Sequence, residues 1–360
     1  STSETGLANL HTIADQLINH TDAPQSVTYV ITPVHPGSCN NGPQQSITVT
    51  IEPTPRIINL PADYTQCDST TTAIVLESPS TFTSGLITFN YTATSTGGIG
   101  AVSGYSASET GLANLHTIAD QLINHTDEPQ SVTYVITPVH PGSCNNGPQQ
   151  SITVTIEPTP RVVLPVDYTQ CDSTTTNILL SSPSTFTAGV ITFNYTATPS
   201  GNPGDITGFT ASATNVANNG FITDQLINHT DEPQSVTYTV TPVHPGACNN
   251  GPSQMITVTV EPTPRIINLP ADYTQCDSTT TAIVLESPST FTSGLITFNY
   301  TASHTGGAGA VTGYSTSETG LANLHTIADQ LINHTDAPQS VTYVITPVHP
   351  GSCNNGPQQS

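Results

Sequence analysis

Val132-Thr133-Tyr134-Val135-Ile136-Thr137-Pro138 and, a little further on, Ile152-Thr153-Val154-Thr155-Ile156-Glu157 decide the fold of this chain. In the first run Val132, Tyr134 and Ile136 alternate with Thr133, Val135 and Thr137. In the second, Ile152, Val154 and Ile156 alternate with Thr153 and Thr155. Apolar residues at every second position fall on one face of an extended strand. Thr, Val, Ile and Tyr suit such a strand because branched and ring side chains pack well on a pleated surface. Between the runs lies Pro138-Val139-His140-Pro141-Gly142-Ser143-Cys144-Asn145-Asn146-Gly147-Pro148, a connector of turn formers. The two runs therefore make a hairpin with a long loop. Upstream, Thr72–Leu76 reads as a short buried strand, and Ile87, Phe89 and Tyr91 alternate with Thr88, Asn90 and Thr92. Short strands separated by Gly, Pro and Asn turns predict an all-β antiparallel sandwich of about seven strands.

One segment is ambiguous. Leu112, Leu115, Ile118, Ala119 and Leu122 fit helical spacing, but the matching stretch further on reads Asn215-Val216-Ala217-Asn218-Asn219-Gly220-Phe221. Asn-Asn-Gly makes poor helix and good turn. Both stretches should share one fold, so a loop leading to a strand near 118–123 is expected, with helix nearly absent.

That match is part of a longer one. Leu17-Ile18-Asn19-His20-Thr21-Asp22 returns at Leu122, Leu226 and Leu331, and residues 1–46 recur unchanged at 315–360. A period of about 100 residues is one domain, large enough to bury a core of its own. The chain reads as the C-terminal half of a repeat at 1–52, complete repeats at 53–157 and 158–261, and a repeat lacking its last strand at 262–360. It is thus expected to be a window on a longer array. The joints are Glu52-Pro53-Thr54-Pro55-Arg56 and its copies Glu157–Arg161 and Glu261–Arg265. Two prolines hold such a segment near the stiff polyproline II conformation. Arg56, Arg161 and Arg265 are the only cations besides histidine. They are either solvated or form clamps that set the angle between repeats.

Three arginines against 25 carboxylates give a net charge of -22. That surface repels nucleic acid and anionic membrane. No apolar run approaches the about 18 residues of a spanning helix, so no direct membrane insertion is expected.

The pattern around Val132–Pro138, Gly142-Ser143-Cys144 and Ile152–Pro160, with a cysteine ahead in Gln66-Cys67-Asp68, resembles the PKD-like and Ig-like repeats of large Bacteroidota surface proteins. These include gliding-motility adhesins and other type IX secretion cargo. The resemblance covers the whole chain and implies an extracellular, cell-surface stalk or adhesive filament. Its partners would be neighbouring repeats, surface polysaccharide or other filament subunits. The chain lacks the Trp that related domains often bury, so Tyr91 or Phe89 must fill that place.

An extracellular setting favours disulfides. The cysteines are Cys39, Cys67, Cys144, Cys171, Cys248, Cys276 and Cys353, with no close zinc-type spacing. Pairing within repeats gives Cys67–Cys144, Cys171–Cys248 and Cys276–Cys353 and leaves Cys39 unpaired. The alternative links neighbouring repeats, Cys67–Cys248 and Cys171–Cys353, because the turns carrying the two cysteines lie at opposite poles of an immunoglobulin-type sandwich. The intradomain scheme is the expectation, since each repeat carries its own pair.

Asn-x-Thr occurs at Asn19, Asn90, Asn124, Asn194, Asn228, Asn299 and Asn333, and Asp-Ser-Thr at Ser69, Ser173 and Ser278, so the chain is a candidate glycoprotein. In a Thr-rich sequence many sequons arise by chance. His20, His125, His229 and His334, with His35, His140, His244 and His349, recur once per repeat as copied residues rather than as a metal set. Asp63, Asp68, Asp127 and Glu128 are candidate Ca²⁺ ligands near the joints, although no calcium-loop motif surrounds them. No nucleophile-elbow, zincin or phosphate-loop motif occurs. Catalysis needs unlike groups converging in one pocket, whereas copying multiplies identical contacts that sum through avidity. The expectation is a structural and adhesive repeat region, not an enzyme. A carbohydrate-binding array or a passive spacer of a secreted enzyme are the alternatives.

Overall fold

The computed structural model describes residues 3–360, and every regular element among them is a β-strand. In the repeat at 53–157 a five-stranded sheet runs in the order Tyr64–Gln66, Gln150–Ile156, Gln130–Val139, Thr88–Ser95 and Ser108–Ala113. Tyr134 lies opposite Ile152 on one side and Ala93 on the other. Val132, Tyr134, Ile136, Ile152, Val154, Ile156 and Phe89 are wholly buried. The second layer consists of Thr70–Thr71, Gln121–Asn124 and Val102–Ser103, beside the pair Ile74–Leu76 and His116–Ile118. Ile74, Leu76, Ile118, Leu122 and Val102 close the core from that side. The alternation read from sequence is thus the inner face of a two-layer sandwich.

Phe89 and Tyr91 fill the core, and Tyr91 meets Tyr134 edge-on at 5.6 Å between ring centroids. The Tyr134 hydroxyl donates to an Asp120 carboxylate oxygen at 2.7 Å. Burial first and Asp120 second push its pKa far above the ordinary 10.0, so it remains a donor. The ladder shifts register between Phe89 and Tyr91, and in this bulge the Asn90 Oδ1 accepts the Gly111 N–H at 2.9 Å.

Two expectations need correction. The sheet is not purely antiparallel: Tyr64–Gln66 pairs parallel with the last strand, because both segments run from the N-terminal to the C-terminal pole of the repeat. The ambiguous segment holds no helix among the described residues, and Gln121–Asn124 is the strand expected near 118–123, but the stretch before it is not a loop. Ser108–Ala113 joins the five-stranded sheet, His116–Ile118 joins the other layer, and Leu115 turns between them at φ 67°. Asn114 braces this turn by binding both the N–H and the C=O of Ser78. Leu112, Ile118 and Leu122 pack on one core from three separate strands, which mimics a helical stripe in the sequence.

The repeat at 158–261 builds the same five-stranded sheet from Tyr168–Gln170, Gln254–Val260, Gln234–Val243, Thr192–Pro199 and Ser212–Ala217. From 262 onward the sheet has three strands, Ser317–Ala322, Thr297–His304 and Val341–Val348, and Tyr343 and Ile345 line a groove of about 660 Å³. In the N-terminal segment Gln25–Ile31 pairs with Gln45–Ile51, and Ile47 is 57% exposed where its copy Ile152 is 0%. The chain groups into two compact units. One comprises the residues up to Thr159 with Ser184–Gly189; the other is Pro160–Pro183 with Val190–Ser360.

Candidate functional site: the joints between repeats

Each repeat has two distinct poles. At its C-terminal pole the first cysteine follows the strand that ends beside the last strand: Gln170 pairs with Val260, and Cys171 comes next. At its N-terminal pole lies the long hairpin loop carrying the second cysteine. Gly356 of that loop sits so close to the joint that an added Cβ would meet the Pro264 carbonyl oxygen at 1.8 Å. Only glycine fits there. Gly147 lies against Pro55 in the same way.

In the second unit the joint Glu261–Arg265 brings the two kinds of pole together. Pro262 and Pro264 are buried and Thr263 is exposed. The Thr263 hydroxyl donates to Asp172 at 2.8 Å. Glu261, 2% exposed, accepts from both the N–H and the hydroxyl of Thr292 in the next repeat. Arg265 reaches back to Asp231 with a two-pronged ion pair, Nε to Oδ1 at 2.5 Å and Nη2 to Oδ2. The backbone oxygen of Asp231 also accepts the Thr290 N–H at 2.8 Å. Two planar groups meeting in this way fix direction as well as distance.

The first unit contains the same clamp at Glu52–Arg56. Arg56 pairs with Asp22 at 2.6 and 2.7 Å, Glu52 accepts from Thr83, and Thr81 donates to the Asp22 backbone oxygen at 2.8 Å. The Arg56 hydrogen bond is the main cause holding the Asp22 carboxyl below its usual range. Arg161 is engaged as well. Sequence reasoning singled out the arginines but missed their partners. Only the fold picks the partners out, and it places Asp and Arg 34 residues apart in both clamps.

The cysteine pairing overturns the intradomain scheme. Cys171 is bonded to Cys353 of the following repeat, with Cα atoms 5.4 Å apart. Cys39, Cys144 and Cys276 are free and exposed, and Cys67 and Cys248 are each disulfide-bonded. Cys67–Cys144, Cys171–Cys248 and Cys276–Cys353 are therefore not bonds of this structure. The reason is the polarity of the sandwich. The two cysteines of one repeat sit at opposite poles, too far apart to bridge, whereas poles of successive repeats meet at the joint.

His349 stands beside this joint, 4% exposed and edge-on to Phe291 at 4.4 Å. Its Nδ1 accepts the Gly351 N–H at 2.9 Å, so the proton of the neutral ring is on Nε2, which is buried with no hydrogen-bond partner. Desolvation lowers its pKa from the ordinary 6.5, outweighing the opposing pull of Glu261. The folded state therefore favours the neutral ring. Its stability is fully present above pH 6.5 and is lost as pH falls through the lowered value. The melting temperature of the 262–360 repeat should fall between pH 7 and 5. His349→Asn, which keeps an acceptor for Gly351 but does not titrate, should flatten that fall; an unchanged pH slope would exclude this histidine as its cause.

Several sequence candidates are committed to structure. Asn124 donates to the Glu128 and Ile156 carbonyls at 2.8 and 3.0 Å and accepts from Thr126. Asn19 and Asn228 are held in the same way, and Asn333 donates to the Ala337 carbonyl and accepts from Thr335. In these sequons Asn and Thr brace a turn, and the nitrogen a glycan would need is already donating. Asn194 and Asn299, like Asn90, use only Oδ1, on Asn215 and Gly320. Ser69, Ser173 and Ser278 are exposed at left-handed φ of 60°, 60° and 63°. Asp68 accepts from Asn124 and Thr159, and Asp63 accepts from Thr153, so these carboxylates are structural acceptors. No metal-type cluster occurs among the described residues. His125, His229 and His334 bind the hydroxyls of Ser103, Thr207 and Thr312. The large exposed aromatics among the described residues are Tyr273 and Phe221. The copies of Phe221 are Thr117 and Thr326, whereas Tyr273 has half-buried copies at Tyr64 and Tyr168.

A sequence profile of the PKD-like domain matches residues 2–55, 65–160, 169–264 and 274–359. No curated protein matches the sequence. Among solved structures, mouse cadherin-23 EC22-24 aligns at 14% identity over 82% of this chain and 95% of that one, with a TM-score of 0.38. A titin fragment of three Ig domains, an E-to-A mutated variant, aligns at 11% identity over 82% and 93%, with a TM-score of 0.38. Extracellular domains 3-5 of Drosophila OTK align at 11% identity over 82% and 94%, with a TM-score of 0.22.

Proposed function

The chain belongs to the PKD-like domain family, and from that premise we propose that it is a structural and adhesive stretch of a long extracellular filament or stalk. The observation that carries the reading is the joint. Buried prolines, an Arg–Asp ion pair and a Glu–Thr cap recur with the repeat, and the joint at 261–265 adds a disulfide. Such a joint restrains bending where a flexible linker would allow it. Disulfides belong to oxidising surroundings, which supports a place outside the cell. In this reading the chain sits at the cell surface in a large protein of the gliding-adhesin type, exported by type IX secretion. Surface polysaccharide or other filament subunits are its partners, bound by many weak copies of one contact. The reading assigns the chain no catalysis of its own.

The stiffness has a direct test in small-angle scattering on the whole chain. The double variant Arg265→Ala/Cys353→Ser should show a broader distribution of interatomic distances and a shorter mean end-to-end distance. Circular dichroism should show the strands intact. An unchanged profile would mean that the clamp and disulfide do not set the joint, and the stalk reading would lose its main support.

A further inference from the structure

We propose that Cys276, Cys39 and Cys144 are half-sites of a disulfide ladder, each made to bond a further PKD-like repeat across a joint. The inference rests on the reading of this chain as an array, and it adds the covalent partner. Cys276 is the copy of Cys171, and Cys144 and Cys39 are copies of Cys353. Cys171 and Cys353 are bonded to each other across a joint in this structure, so the chemistry of the copies is on display.

The free cysteines also sit in the same local geometry as the bonded ones. At Cys171 the Thr174 hydroxyl donates to the cysteine carbonyl at 2.6 Å and Gln170 Nε2 donates to the Thr174 carbonyl at 3.0 Å. At Cys276, Thr279 and Gln275 make both bonds at the same distances. Asp172 and Asp277, the following residues, accept the N–H groups of Asn228 and Asn333. On the receiving side, the loop of Cys353 is shaped by His349 N–H on Asn355 and by Gly351 N–H on His349. The loops of Cys144 and Cys39 repeat this with His140, Asn146 and Gly142, and with His35, Asn41 and Gly37. Cys276 thus presents a C-terminal-pole thiol toward a following repeat. Cys144 and Cys39 present N-terminal-pole thiols toward preceding ones.

The bond forms by two thiol–disulfide exchanges. With oxidised glutathione as oxidant, the Cys276 thiolate displaces one glutathione thiol. The partner thiolate then attacks the Cys276 sulfur of the mixed disulfide and releases the second. Two protein thiols are oxidised and one glutathione disulfide is reduced.

Because residues 315–360 repeat 1–46, the chain can be continued in register by adding a copy of residues 47–157 after Ser360. The added copy of Cys144 then lies 182 residues beyond Cys276, the separation of the observed bond. After oxidation in a glutathione buffer, non-reducing peptide mapping should find Cys276 joined to that added cysteine, with Cys39 still alkylatable. Serine at the added position should return Cys276 to full alkylation. If Cys276 stays free in the extended chain, or bonds another cysteine, the ladder is wrong. Scattering on the same sample reads elongation separately, so an extended particle with a free Cys276 would sink the ladder and leave the stalk reading standing.

Discussion

Replacing Asn228 by alanine should destabilise the 158–261 repeat by about 3 kcal/mol, far more than a surface substitution. Asn228 is 6% exposed. Its Nδ2 donates to the Glu232 and Val260 carbonyls at 2.8 and 2.9 Å, and its Oδ1 accepts the Thr230 N–H and hydroxyl at 2.9 and 2.8 Å. Alanine removes all four bonds and leaves their partners in a turn packed against the last strand. Each unmade buried bond costs about 1–3 kcal/mol, and water reaching the outer part of the turn recovers some of it. Urea unfolding should show the loss as a lower midpoint at unchanged slope. Thr230→Ala separates the two meanings of this sequon. It destroys the glycosylation signal but removes only the Thr230 hydroxyl bonds, and should cost about 1 kcal/mol. Equal losses in an unglycosylated sample would contradict the role given to Asn228.

The same residue shows where sequence reading stops. Alternation at Val132–Ile136 and Ile152–Ile156 marked the inner face because a strand's side-chain period is fixed by its geometry. The repeat length likewise marked whole domains. Asn228 was legible only as Asn-x-Thr, since one of the two carbonyls it binds comes from a strand end 32 residues away in sequence. Leu112, Ile118 and Leu122 gave a false helical stripe because three strands deliver them to one core. The joint was half legible. Its prolines and arginines stood out, but Asp231 and Thr292 carry no mark in a chain rich in such residues until the fold sets them beside Arg265 and Glu261. The cysteines were visible and Cys171–Cys353 stood as the alternative pairing, but choosing it over the intradomain scheme requires knowing which pole each turn occupies.

That pairing leads to the largest expected effect. Breaking the Cys171–Cys353 bond should uncouple the unfolding of the repeats at 158–261 and 262–360. The bond spans 182 residues of sequence. On the chain-entropy argument, releasing so long a loop destabilises the pair by about 5 kcal/mol. If only the second repeat unfolds, the loop runs from the joint to Cys353, about half as long. The cost then drops by only about 0.6 kcal/mol, because closure entropy varies with the logarithm of length. For a repeat of about 100 residues, 5 kcal/mol corresponds to a fall of about 20 °C in melting temperature. Calorimetry on Cys353→Ser should therefore resolve an earlier transition for the 262–360 repeat, and Cys171 should become alkylatable. Cys276→Ser is the control. That thiol is free in this chain, so its loss should leave the melting profile unchanged, whereas an intradomain Cys276–Cys353 bond would make the two variants equally damaging. The difference between two serine substitutions in one repeat thus tells a bond across the joint from a bond within the sandwich.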